Sequence, residues 1–120
     1  MKAVDGSIFS GTKAVDERLK FDSFRLQPWI DEHVAGAGKI ETIEQFKGGQ
    51  SNPTYKVVTE SKNLVLRRKP PGVLLPSAHA VDREYKVMTA LQQTSVPVPK
   101  TYGLCEDEDV IGTPFFVMDY

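Results

Sequence analysis

Between Ile40 and Arg68 the apolar residues tend to recur at every second position, whereas on either side of that stretch they recur at every third or fourth. A period of two marks a strand with one face toward a core, and a period of three to four marks a helix laid on its side. This change of period restricts the chain to a sheet flanked by helices. Ile40–Phe46, Thr54–Thr59 and Asn63–Arg68 predict three strands, and Glu60-Ser61-Lys62 between the last two is a connection short enough only for an antiparallel hairpin. Pro70-Pro71-Gly72 ends the third strand. Pro76-Ser77 then announces a helix over about 78–92, with Ser77 as its cap and Val81, Tyr85, Met88 and Leu91 or Gln92 as its buried stripe. Val96-Pro97-Val98-Pro99 is extended, because a proline disfavours helical backbone in its predecessor. Residues 101–105 and 113–120 predict two further strands, separated by the acidic turn Glu106-Asp107-Glu108-Asp109 and by Gly112.

Upstream of the sheet, Phe21, Leu26, Trp29, Ile30 and His33 or Val34 recur at helical spacing, with Asp22 or Ser23 as cap and Gly36 as terminator. Pro28 lacks an amide donor and is tolerated only in a first turn, so this helix is expected to start late or to bend. Trp29 and His33 read as packing residues that dock it on the sheet. Residues 1–20 show no sustained period and read as a mobile leader. Residues 21–120 read as one α+β domain, a five-stranded antiparallel sheet with a packed helix.

Composition narrows the partners. The 15 basic and 16 acidic side chains are interspersed and give a formal net charge of −1, so neither nucleic acid nor a membrane is implied as a partner. Cys105 is the single cysteine, which excludes an intrachain disulfide and, with two scattered histidines, leaves no ligand set for a structural zinc. The expected compartment is reducing, hence cytoplasmic. No stretch approaches membrane-spanning length, and residues 1–20 have neither a signal core nor transit-peptide character.

Three features point to anion chemistry. Gly48-Gly49-Gln50-Ser51-Asn52 falls between the first two strands, where successive amides from Gly49 to Asn52, the Ser51 hydroxyl and the Asn52 amide suit phosphate oxygens. Hairpins also carry glycine pairs for conformation alone. The turn matches neither GxxxxGK[ST] nor GxGxxG, which disfavours a P-loop or dinucleotide fold. In the third strand, alternation places Val65 and Arg67 on one face and Leu64, Leu66 and Arg68 on the other. If the first two strands arch over a nucleotide, Val65 meets the base, Arg67 reaches the α and β phosphates, and Arg68 meets solvent or the rim. The plain alternative is that Arg67, Arg68 and Lys69 form a solvated edge against strand addition. Glu84 lies on or beside the buried stripe of the second helix, where a carboxylate needs a partner and an arginine across the gap supplies one. A half-wet carboxylate on the helix flank is the other reading.

Taken in order, Gly48-Gly49-Gln50-Ser51-Asn52-Pro53-Thr54-Tyr55, Val65-Leu66-Arg67-Arg68-Lys69-Pro70-Pro71-Gly72, Asp82-Arg83-Glu84-Tyr85, Val96-Pro97-Val98-Pro99 and Phe115-Phe116-Val117-Met118-Asp119-Tyr120 resemble the protein-kinase-like superfamily. More closely they resemble the aminoglycoside phosphotransferase family, in the branch with a kinase-like domain at the front of some acyl-CoA dehydrogenase family proteins. The resemblance runs from about Phe21 to Tyr120. It implies a kinase-like N-terminal lobe that ends at the hinge. By the same resemblance, Gly48 to Asn52 matches the phosphate-covering loop, Arg67 the nucleotide lysine, Glu84 its helix partner, and Met118-Asp119-Tyr120 the hinge whose backbone meets adenine. The loop lacks a third glycine and arginine stands for lysine, but arginine still anchors phosphate. The family's catalytic base and magnesium ligands belong to a second lobe, and no residue here matches them.

The expected function is therefore the ATP-binding lobe of a small-molecule phosphotransferase that uses ATP and Mg2+ to move the γ-phosphoryl group to a hydroxyl, of a hydroxyacyl-type substrate given the branch resembled. The chain alone is expected to be inactive. The competing reading is a noncatalytic pseudokinase or protein-interaction domain. The expected partners are a nucleotide and, through the missing lobe, a small hydroxylated substrate; the underside of the sheet would favour self-association. A dehydrogenase-linked parent would move the expected location to mitochondrion or peroxisome.

Overall fold

A computed structural model describes residues 12–15, 20–46, 53–69 and 81–120. The three strands of the period-two region form as the pattern predicts: β2 spans Ile40–Phe46, β3 Thr54–Thr59 and β4 Asn63–Arg68. Their hairpin closes where Thr59 donates from its amide (2.9 Å) and its hydroxyl (2.8 Å) to the Lys62 carbonyl. Two later strands, β5 (Thr101–Cys105) and β6 (Phe115–Asp119), and a two-residue strand β1 (Thr12–Lys13) complete a six-stranded sheet. The order is β1-β2-β3-β4-β6-β5 and every neighbouring pair is antiparallel.

The expected five strands thus gain a sixth inside the segment read as a leader. Thr12 and Lys13 pair with Phe46 and Gln45, and the Thr12 hydroxyl donates to Glu44 Oε1 at 2.5 Å. Two residues are too few to carry a period.

Both faces of the sheet are covered. Helix α1 (Ser23–His33) lies on the outer face, where Leu26, Trp29, Ile30 and Val34 bury themselves with Tyr55, Val57, Leu64, Leu66, Phe115 and Val117. Helix α2 (Val81–Leu91) lies on the inner face, where fully buried Val81 joins Val65, Phe116 and Met118, with Tyr85 and Met88 packed against them. The start expected for α2 at Ala78 lies outside the described residues. Strand β4 is covered on both sides, since Leu64 and Leu66 are fully buried and Val65 nearly so.

Two local expectations are corrected. Helix α1 neither waits for Pro28 nor begins after it: the Asp22 carboxylate accepts from the Phe24 amide at 2.9 Å, and Pro28 sits inside the helix. The proline deletes the bond to the Phe24 carbonyl, but Phe24 and Pro28 are both exposed, so water can satisfy that oxygen. The acidic turn winds into a short helix, α3 (Glu108–Ile111), capped by Asp107 and ended by Gly112 at φ +100°. Arg25 ties it to α1 by donating to the Asp109 and Val110 carbonyls. Among the described residues no helix is long and apolar enough to cross a membrane.

Gly103 in β5 lies close beneath the Trp29 and His33 rings of α1. A Cβ there would lie 3.0 Å from His33 Cδ2 and 3.3 Å from Trp29 Cζ2, at a backbone φ of +157°. Those rings stack on one another at 4.0 Å and Trp29 meets Phe115 edge-on at 5.0 Å, so neither can retreat freely. Gly103→Ala is expected to cost about 1–3 kcal/mol in chemical denaturation, as overpacking of a filled core does. An unchanged midpoint would mean that α1 does not rest on β5.

Candidate functional site

Strand β4 presents its two arginines in opposite directions. Val65 pairs with Lys56 and Met118, and Arg67 with Thr54 and Phe116, so these residues share the inner face. From there Arg67 donates through Nε to the Thr54 hydroxyl at 3.2 Å, and its Nη1 forms an ion pair with Glu84 Oε2. Helix α2 can reach the strand because Val81, one turn before Glu84, is sunk into the inner core. The pair is half open, with Arg67 28% and Glu84 33% exposed. Sequence parity on the strand and helical spacing on α2 therefore bring together the two residues expected to meet.

Arg68 corrects the expectation of a rim residue. It is 2% exposed. Its guanidinium carbon lies 5.4 Å from the Phe21 ring centroid and 5.8 Å from that of Tyr55, and Nη1 donates to the Ile111 carbonyl at 3.3 Å. Desolvation by this burial pulls its pKa below the usual arginine value. Parity correctly puts Arg68 beside Leu64 and Leu66; the strand alone does not reveal that α1, α3 and Phe21 close over that face.

The hinge expected at Met118-Asp119-Tyr120 runs off the end of β6. Met118 is buried opposite Val65, and Tyr120 is 61% exposed. Between them Asp119 is anchored: Tyr102 donates its hydroxyl to Asp119 Oδ1 at 2.6 Å, and Lys62 donates to the Tyr102 oxygen at 2.9 Å. The bond to Tyr102 raises the Lys62 pKa, against a smaller opposing desolvation. The turn Gly48-Gly49-Gln50-Ser51-Asn52 lies outside the described residues.

Lys56 and Phe46 are inner-face residues that the sequence reading missed. Lys56 holds its ammonium 4.8 Å from the Tyr120 ring centroid, and Phe46 faces Tyr120 at 6.1 Å. The signal for Lys56 was available in the alternation of Thr54-Tyr55-Lys56, but only the β3–β4 register relates it to Val65.

A model of the phosphotransferase enzyme family matches residues 42–120. The chain belongs to that family. Within it, the chain is a kinase-like N-terminal domain related to the acyl-CoA dehydrogenase family member 10 and 11 proteins. It is 57% identical over 83 residues to "Acyl-CoA dehydrogenase family member 10" of Mus musculus, covering 69% of this chain and 8% of that protein. It is 46% identical over 105 residues to "Acyl-CoA dehydrogenase family member 11" of Homo sapiens, covering 84% of this chain and 14% of that protein. The phosphotransferase-family domain thus spans a small part of the length of these relatives. In structure it matches the crystal structure of a "putative aminoglycoside phosphotransferase" from Ralstonia eutropha at a TM-score of 0.72 and 49% identity, over 84% of this chain and 28% of the other. The α+β lobe with its antiparallel sheet and packed helices is the fold of this family.

The opposed arginines of this phosphotransferase-family lobe should separate in stability measurements. Arg68→Ala empties a buried site and strips the Ile111 carbonyl, and is expected to cost roughly 2–4 kcal/mol. Arg67→Ala breaks a half-exposed ion pair and should cost less than about 1 kcal/mol. Denaturant titration of both variants checks the order, and an equal or reversed ranking would contradict the burial described.

Proposed function

We propose that this domain is the nucleotide lobe of an ATP-dependent small-molecule phosphotransferase. The observation that carries the reading is the Arg67–Glu84 ion pair on the inner face of a phosphotransferase-family lobe. A guanidinium carries five N–H donors in a planar fork. Thr54 takes Nε and Glu84 takes Nη1, which fixes the direction of the fork, and the remaining donors suit the α and β phosphate oxygens of ATP. Val65 and Met118, side by side on β4 and β6, supply the apolar surface above the base, and the hinge would supply its polar edge from the backbone groups left once the Asp119 amide has donated to the Lys100 carbonyl at 2.8 Å. Gly48 to Asn52 would cover the phosphates. Positioning and charge stabilisation are what phosphoryl transfer asks of a protein, and Arg67 held by Glu84 supplies part of both.

Among the described residues no group of three or more His, Cys, Asp or Glu could hold a metal ion. In this reading magnesium arrives with the nucleotide, and its protein ligands and the base that takes the acceptor's proton belong to a second lobe. The acceptor in this reading is a small hydroxylated molecule, of hydroxyacyl type by analogy with the dehydrogenase-named relatives.

The test is a phosphoryl-transfer assay on a longer protein in which this domain is followed by a second lobe, beside its Arg67→Ala variant and the 120-residue chain alone. The longer protein should turn over ATP with a hydroxylated acceptor, Arg67→Ala should lower kcat/KM on the order of 100-fold, and the chain alone should transfer nothing. Undiminished turnover by Arg67→Ala would remove the assigned role. Inactivity of the two-lobed protein across many hydroxylated acceptors would favour a noncatalytic domain.

A further inference from the structure

Helix α2 carries Glu84, yet little of its surface is sunk into the core. Val81 is its buried residue, while Tyr85 and Met88 are partly buried against the inner cluster. Apolar contact is non-directional, so one buried side chain holds the helix down without fixing how far it rolls about its axis. The other end of the helix supplies a direction. Gln92 lies just past Leu91, with its amide still donating to the Met88 carbonyl at 3.2 Å. Its side chain clasps Thr101, the first residue of β5: Oε1 accepts from the Thr101 amide at 3.0 Å, and Nε2 donates to the Thr101 hydroxyl at 2.8 Å. Thr89, one turn back on the helix, shares a hydrogen bond with the same hydroxyl at 2.8 Å.

We propose that Gln92, with Thr89 and Thr101, is a positioning clasp that fixes the roll of α2 and thereby brings Glu84 to Arg67. The proposal rests on the nucleotide reading above and adds to it residues remote from the ligand that set the affinity of the site. The two polar ends of the helix fall on different strands, Glu84 reaching Arg67 on β4 and Gln92 reaching β5, with β6 between them. The rise from Glu84 to Gln92 is about 12 Å along a helix, and two strand spacings are about 10 Å. The helix therefore crosses three strands with a polar contact at each end and apolar contacts in the middle. A side-chain amide suits the task, because it offers an acceptor and a donor in one plane to the N–H and the hydroxyl of one residue. The helix end can neither turn nor slide without breaking both bonds. All three side chains of the clasp are half-buried, so water replaces a lost bond at small cost to stability, whereas it cannot replace the orientation.

The experiment is an NMR titration of the 120-residue chain with ATP, which also follows the Arg67 Nε–H resonance before ATP is added. Gln92→Met keeps length and helix propensity but loses both arms of the clasp. It should weaken ATP binding about fivefold, the size of one directed hydrogen bond. Gln92→Glu keeps two acceptors, one for the Thr101 amide and one for its hydroxyl proton, and should stay within about twofold of the wild type. Thr101→Val removes only the hydroxyl and should weaken binding about twofold, so it stays informative even if Gln92→Met fails to fold. In a Glu84→Ala background Gln92→Met should have no further effect, because a residue that acts through Glu84 then has nothing to position. Without ATP, exchange of the Arg67 Nε proton with water should quicken in Gln92→Met and not in Gln92→Glu. Wild-type affinity and an unchanged Arg67 resonance in Gln92→Met and Thr101→Val would overturn the clasp and leave the nucleotide reading intact. An equal loss with and without Glu84, or a Gln92→Glu variant no better than Gln92→Met, would also overturn it. A wild type that binds no ATP would contradict the nucleotide reading instead, and the Arg67 resonance alone would then decide whether the clasp sets the ion pair.

Discussion

The contact between Arg67 and Glu84 is the point at which sheet and helix become one site. Without it the inner face is a strand carrying a cation and a helix carrying an anion, each adequately hydrated where it stands. Joined, they hold the guanidinium by two of its nitrogens, one bonded to Thr54 and one to Glu84. The pair is only half buried, so its contribution to stability is small; exposed ion pairs of this kind are typically worth under about 1 kcal/mol. Its consequence is directional. The burial of Val81 beside Val65, Phe116 and Met118 supplies the adhesion that lets a weak ion pair set a geometry.

The neighbouring arginines illustrate how one strand serves two purposes. Arg67 faces the inner side beside α2, is partly exposed there, and keeps its hydration on part of its fork. Arg68 faces the closed side, where burial disfavours its charged form and the Phe21 and Tyr55 rings and the Ile111 carbonyl offset that cost. A guanidinium tolerates such a setting better than an ammonium because it is more weakly hydrated and stacks on aromatic faces. The covered outer side, with α1 laid over Leu64, Leu66 and Val117, makes β4 a strand packed on both faces and gives Arg67 a rigid base.

Much of this was legible in the sequence, and the reasons are physical. Period-two alternation over 40–68 placed three strands with their observed limits, most cleanly in β3, where buried Tyr55, Val57 and Thr59 alternate with less buried neighbours, whereas β4 is buried on both faces. The same parity put Arg67 and Arg68 on opposite faces, and helical spacing put Glu84 on the flank of the buried stripe; both are local facts. What the sequence concealed depends on partners distant in the chain. The burial of Arg68 is produced by Phe21 and Ile111, and the closeness of Lys56, Phe46 and Tyr120 by the register and by the turn of the chain after β6. Strand β1 is too short for a period, and Pro28 is tolerated because it lies on the wet side of α1. The one-turn helix α3 had signals that went unread, an aspartate cap and a glycine at its end.

A double-mutant cycle on ATP affinity addresses the central claim most directly, using the wild type, Arg67→Ala, Glu84→Ala and the double variant, each checked for folding. If Glu84 acts by holding Arg67, each single change weakens ATP binding and the double variant binds no more weakly than Arg67→Ala. If the two losses simply add, or if Glu84→Ala leaves ATP affinity untouched, the ion pair does not orient a phosphate-binding arginine and the account fails.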